Sequence, residues 1–170
     1  PFRDTTLLSQ RKTAGVFGNA FDSVAIPNGD VLYTSSEQGL ATFSMPDLRL
    51  LQAPVLAGEG DANAQGCIAM SATQDRIFCS AHSAGISVYS LAQPEAPAFL
   101  GHISSDLPTQ RPYSSPIPMP ALDDPQHVWL YATMGRATLS VFNATADSPA
   151  EAVQLATLQL PVAFVFGVAV

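Results

Sequence analysis

A pair of short strands that recurs three times in step limits this chain more than any other feature. Leu32-Tyr33 returns as Ile77-Phe78 after 45 residues and as Leu130-Tyr131 after 53 more. Leu40-Ala41-Thr42-Phe43 returns as Ile86-Ser87-Val88-Tyr89 after 46 residues and as Leu139-Ser140-Val141-Phe142 after 53 more. Because both halves shift together, the repeating object is a pair of strands with its turn. Short runs rich in Val, Ile, Tyr and Phe between Gly, Ser, Asp and Pro clusters read as strands of an antiparallel meander.

Each recurrence sits in a four-strand unit. In the first, 21–56, Val24-Ala25-Ile26 runs into Asn28-Gly29, a strong hairpin signal because a type I′ turn needs positive φ at both central residues. Val31–Ser35, Gly39–Phe43 and a strand beginning at Leu48–Leu51 follow. The second unit, 66–101, offers Cys67–Met70, Arg76–Ser80, Gly85–Ser90 and Ala98–Leu100. The third, 114–160, closes on Val153–Leu158. Its longer interval is absorbed by a proline-rich insertion, 104–125, with Pro108, Pro112, Pro116, Pro118, Pro120 and Pro125. Prolines forbid a central strand there, so the insertion reads as a rigid surface excursion, with a docking arm or lid as the functional alternative. Thr5–Ser9 reads as a strand without an obvious partner.

Self-similarity at about 40–50 residues with four strands per unit is the mark of a β-propeller blade. The expected fold is all-β, a single domain 1–170 with about three complete blades. Val162–Val170 reads as the first strand of another. A partial propeller is preferred to one closed by its own two ends. A β-sandwich also spaces short strands regularly, but three aligned strand pairs favour the propeller.

Composition narrows the partners. Hydrophobic residues make up 47% of the 170 and charged residues 12%, below the ~25% usual for soluble domains. The net charge is −7, with Lys12 the one lysine and no cluster of arginines. That excludes a backbone-tracking nucleic-acid binder, which needs clustered cations to release counterions. No apolar run reaches the ~18–20 residues of a membrane-spanning helix.

At Gly85–Gly101, GISVYSLAQPEAPAFLG resembles the LVIVD-type propeller repeat, laid out as G-apolar-x-V-aromatic followed by P-x-x-P-x-x-x-G. IPNGDVLYTSSEQGLATFSM and SATQDRIFCSAHSAGISVYS resemble the related YVTN and lactonase-like repeats, in which a P-D-G turn precedes an L-Y-V strand. Asn28-Gly29, Leu32-Tyr33-Thr34 and Trp129–Thr133 fit, whereas Thr73-Gln74 departs from the turn and Cys79 replaces the usual Val. No Trp-Asp or Gly-Gly pair occurs, which disfavours two other propeller families. The resemblance covers about Phe21–Leu160. It implies a ring of six to eight blades, with further blades or another chain as partner, and an extracytoplasmic location.

In such a ring the loops 57–66, 101–115, 35–38, 81–84 and 134–136 share one face. They carry Glu37, Glu59, Asp61, His82, His102, Asp106, Arg111 and Arg136. Glu59-Gly60-Asp61-Ala62-Asn63 alternates oxygen ligands, but Ala64 and Met70 stand where a calcium loop needs Gly and Glu. His82, His102 and His127 lack metal-ligand spacing, and His127, beside Asp123-Asp124-Pro125, is expected exposed. No cofactor motif and no G-x-S-x-G elbow occurs. Cys67 and Cys79 form a disulfide only if the register sets them opposite; two buried thiols are favoured. Asn143-Ala144-Thr145 is a glycosylation sequon.

These features point to a non-catalytic propeller module that scaffolds a protein assembly. One alternative is a fragment of a lactonase-like hydrolase, with His82 or Glu59 as base and Arg111 and Arg136 stabilising an oxyanion. A further alternative is the propeller subunit of a periplasmic redox enzyme.

Overall fold

The computed structural model describes residues 20–25, 30–36, 39–55, 67, 69–81, 85–103, 116–121, 124, 127–135, 137–145 and 148–161. The expected strands at Thr5–Ser9 and Val162–Val170 lie outside these residues. The described chain is all-β. Twelve strands form three four-stranded antiparallel sheets, each a meander of consecutive strands. The first sheet comprises β1 (Ala20–Ala25), β2 (Val31–Ser36), β3 (Gly39–Ser44) and β4 (Leu50–Val55). The second comprises β5 (Met70–Ala72), β6 (Arg76–Ser80), β7 (Ile86–Ser90) and β8 (Ala98–Ile103). The third comprises β9 (Ile117–Pro120), β10 (Val128–Met134), β11 (Thr138–Asn143) and β12 (Val153–Gln159). A 3-10 turn, Pro149–Glu151, leads into β12, and no described helix is long and apolar enough to cross a membrane.

The central hairpins explain the repeat. Side chains alternate faces along a strand, so cross-strand partners share a face. Tyr33 pairs with Thr42 and Ser35 with Leu40. Phe78 pairs with Val88 and Ser80 with Ile86. Tyr131 pairs with Val141 and Thr133 with Leu139. Each sheet therefore carries one tile of aromatic, hydroxyl, aliphatic and β-branched residues. The opposite face carries a second tile: Leu32 with Phe43, Ile77 with Tyr89, and Leu130 with Phe142. Gly39 and Gly85 occupy matching turn positions with φ of 105° and 88°, where a side chain would be strained.

The sheets stack face to face, with the second in the middle. Val31, Tyr33 and Leu40 of the first pack on Met70, Ile77, Cys79 and Tyr89 of the second. On its other face, Phe78, Ile86, Val88 and Ile103 pack on Leu130, Ala132, Met134 and Phe142 of the third. Fully burying such a side chain is worth about 1.5–3 kcal/mol each, so these two seams hold the stack together. Polar bonds align them. Tyr33 Oη donates to the carbonyl of Pro94 (2.8 Å), the Cys67 N–H to that of Ser36 (3.1 Å), and Arg76 Nη1 to that of Ala144 (3.0 Å). Ser71 Oγ donates to the carbonyl of Pro116. First strands neighbour one another, β5 running beside β1 and β9 beside β5. The three described sheets form an open series and do not close into a ring.

Three expectations need correction. The proline-rich segment 104–125 is not wholly an excursion, because Ile117–Pro120 is β9, an edge strand paired only to β10. An edge strand tolerates Pro118 and Pro120 because half its N–H groups need no ladder partner. The strand expected at Cys67–Met70 starts at Met70, leaving Cys67 in the segment before it. β8 runs past Leu100 to Ile103, which puts His102 on a strand rather than in a loop.

Candidate functional site

The β2–β3, β6–β7 and β10–β11 turns lie at one end of the stack. The bond from the Cys67 N–H to Ser36 aligns the first two sheets at this end, and the Arg76–Ala144 bond aligns the second and third at the other. Many of the residues described at this end are small and hydroxylated. Ser35, Ser36, Ser80, Ser87, Thr133 and Thr138 are all buried. Leu40, Ile86 and Met134 are fully buried at the same end, and the hydroxyls beside them can serve nearby backbone groups. Ser36 Oγ donates to the Gly39 carbonyl across the turn (3.0 Å).

Cys67 and Cys79 are joined here in a disulfide, with Cα atoms 5.5 Å apart, and are not two buried thiols. The bond is not a cross-strand pair of one hairpin: the register partner of Cys79 is Met70. It ties the segment entering the second sheet to β6, inside the seam with the first sheet.

His102 is the one residue of the expected loop-face set that lies among the described residues. Its Nδ1 is 3.1 Å from Ser87 Oγ, across the β7–β8 ladder where the two are register partners. Its ring meets Phe99 edge-on at 5.0 Å, and Phe99 meets Tyr89 likewise at 5.6 Å. Phe99 and His102 are three apart and would point to opposite faces of a regular strand. A β-bulge opposite Val88/Tyr89 brings both to the face toward the first sheet. Gly101 lies in that bulge with φ of 147°, and a Cβ there would reach Pro149 at 3.6 Å.

The Ser87–His102 pair has the atoms of a nucleophile and base. Ser87 has no exposed surface, however, so a substrate carbonyl cannot approach its oxygen. The pair acts as a cross-strand polar link that satisfies a buried hydroxyl.

His127 is half-buried rather than exposed. Its ring lies 4.3 Å from that of Trp129, and its Nε2 is enclosed without a hydrogen-bond partner. Its backbone closes the turn before β10, donating to Asp124 and accepting from Ala121. That turn is at the opposite end of the third sheet from the site above, so His102 and His127 do not converge. In the sequon, Asn143 Oδ1 accepts the Thr145 N–H (3.1 Å), and Thr145 Oγ1 accepts the Val128 N–H (2.9 Å). His82, Glu59, Arg111 and Arg136, together with Glu37, Asp61 and Asp106, lie outside the described residues. Among the described residues no three His, Cys, Asp or Glu side chains gather to hold a metal ion.

Arg76 was not singled out by the sequence. Besides its bond to Ala144, its Nε lies 3.7 Å from an Asp75 carboxylate oxygen, and it lines a surface depression with Gln74, Ser90 and Leu100. Its reach to another sheet depends on the stacking, which no local pattern announces.

The other notable surface is the outward face of the third sheet. Tyr131, Leu139 and Val141 occupy the positions of Phe78, Ile86 and Val88, but no described sheet covers them and they are only partly buried. Leu158, opposite Leu139, and Val153, opposite Asn143, are each 57% exposed. No protein-family model, curated protein or solved structure matches the chain.

Proposed function

We propose that the chain is a β-propeller module of the LVIVD and YVTN (lactonase-like) kind, part of a larger ring, that scaffolds a protein assembly rather than catalysing a reaction. The observation that carries the reading is the repeated tile. Tyr33–Leu40 and Phe78–Ile86 are each covered by the next sheet, and Tyr131–Leu139 repeats the same surface facing outward. A face built like two established interfaces is a surface for association. Adjacent first strands, β1 beside β5 and β5 beside β9, match the innermost strands of successive blades. Val162–Val170 is the first strand of a further blade in this reading. The Cys67–Cys79 disulfide supports an extracytoplasmic location, since such bonds persist in oxidising compartments.

The test is a reconstruction of the native assembly by electron microscopy. Blades arranged radially with first strands lining a channel are expected, and sheets stacked in a line or closed as a sandwich would sink the propeller. The non-catalytic part is tested by a lactone and sugar-lactone hydrolysis screen. Turnover abolished by His82→Ala or Arg136→Ala would replace the scaffold with the hydrolase.

A further inference from the structure

We infer that the Cys67–Cys79 disulfide is a redox-controlled clasp on one seam of the stack. Closed, it holds the first sheet against the second; its reduction loosens that seam and leaves the seam with the third sheet in place. The clasp rests on the described stack alone, whether or not the sheets belong to a ring.

The first support is where the bond is anchored. Cys67 precedes β5, in the chain that passes from the first sheet to the second. Its N–H donates to the carbonyl of Ser36, the last residue of β2 (3.1 Å), and its sulfur is bonded to Cys79 of β6. One residue is thus fastened to both sheets, by a hydrogen bond on one side and a covalent bond on the other. Cutting the covalent bond removes the firmer fastening. The second support is the seam it occupies. Cys67 and Cys79 pack among Val31, Tyr33, Leu40, Ile77 and Tyr89. Phe78, Ile86 and Val88 point to the opposite face of the second sheet and pack on the third, so the disulfide acts on one seam and not the other. The third is what opening that seam would relieve. Thr42 Oγ1 and the Oε1 of its register partner Gln52 are buried there without a hydrogen-bond partner, against Ser140 Oγ in the second seam, among the described residues. In contact with water, each would regain the hydration lost on burial.

The chemistry is gated by the same motion. The two sulfur-bearing residues are 1% and 0% exposed, so a reductant meets the bond when the seam opens. A dithiol then reduces it in two exchanges. One thiolate of the reductant attacks a protein sulfur, which forms a mixed disulfide and releases the other protein sulfur as a thiolate. The second thiolate of the reductant displaces the remaining protein sulfur. The protein gains two electrons and two protons as thiols at Cys67 and Cys79, and the reductant leaves as a disulfide. The clasp therefore stays shut in an oxidising compartment and is released in a reducing one.

The rate at which dithiothreitol reduces the native chain, followed by alkylation and mass spectrometry, tests the gating. Leu40→Ala in the first seam should speed reduction at least ~10-fold more than Leu130→Ala in the second, since both side chains are fully buried and leave similar cavities. Equal acceleration would mean that the sulfurs are reached by unfolding of the whole chain, and overturns the clasp. Amide hydrogen exchange on the oxidised and the reduced wild-type chain tests the release without any variant. Protection of β2 and β3 should fall at least ~10-fold more than that of β10 and β11. A uniform fall across the three sheets, or no fall, overturns the proposal. Should a leucine variant lose the wild-type circular dichroism, the exchange comparison decides alone.

Discussion

Replacing Thr42 with valine is expected to stabilise the protein. Thr42 has no exposed surface, its Oγ1 has no hydrogen-bond partner, and it faces the seam between the first two sheets beside Tyr33. The matching positions of the other tiles hold Val88 and Val141. A buried hydroxyl without a partner costs about 1–3 kcal/mol in lost hydration, and an apolar group of the same shape removes that cost. Both residues are β-branched and equally suited to a strand, so the backbone contribution should cancel. Thr42→Val should therefore gain about 1–2 kcal/mol, or roughly 2–8 °C in Tm for a chain of this length. Val88→Thr, which puts a hydroxyl at the matching place between the second and third sheets, should lose a similar amount. Urea unfolding followed by circular dichroism near 218 nm measures both. A loss of stability in Thr42→Val would refute the reasoning and point to Gln52, its cross-strand neighbour, whose buried Oε1 also has no partner. The two would then be joined directly or through a water, and Gln52→Leu should cost about as much.

Other expectations use the same assay. Phe78→Ala should cost about 3–5 kcal/mol because Phe78 is sealed between two sheets. Tyr131→Ala at the matching outward position, only partly buried, should cost below ~2 kcal/mol; a cost equal to that of Phe78→Ala would refute the difference in burial. Replacing both Cys67 and Cys79 with alanine opens a loop of sequence separation 12 and should lower stability by about 3 kcal/mol, with dithiothreitol on the wild type giving a like shift. An unchanged urea midpoint under both conditions would show that the bond does not restrain the unfolded chain. Burial pushes the Tyr33 hydroxyl up to about 12 and raises that of Tyr89 as well. Each is raised above its unfolded value near 10.0, so the associated stability is complete below pH 10 and is lost as pH rises toward 12. Absorbance at 295 nm from these two phenolates should therefore appear together with unfolding, and early titration at full circular dichroism would contradict their burial.

The sequence by itself determined the central hairpins and their parity. Leu32-Tyr33, Ile77-Phe78 and Leu130-Tyr131 sit at matching places because the pleat alternates strictly and the turn residues hold the register. It also determined an all-β chain without clustered cations. Features that depend on contacts distant along the chain were less legible. Proline content hid β9, since whether Pro118 and Pro120 are tolerable depends on whether the strand lies at an edge. The pattern ends the strand at Leu100 and leaves His102 in a loop, whereas β8 continues through a bulge to Ile103 and sets His102 on the same face as Phe99. Local pattern favours two buried thiols at Cys67 and Cys79, whereas the tertiary path carries Cys67 over β6 from the preceding segment and joins the two. Most of the expected loop-face residues lie outside the described residues, and the one among them, His102, is linked to a serine that no solvent reaches. Tertiary structure alone decided which copies of a repeated surface are covered. Three tiles written in nearly the same residues are equivalent as sequence, and only stacking makes two of them core and leaves the third facing outward.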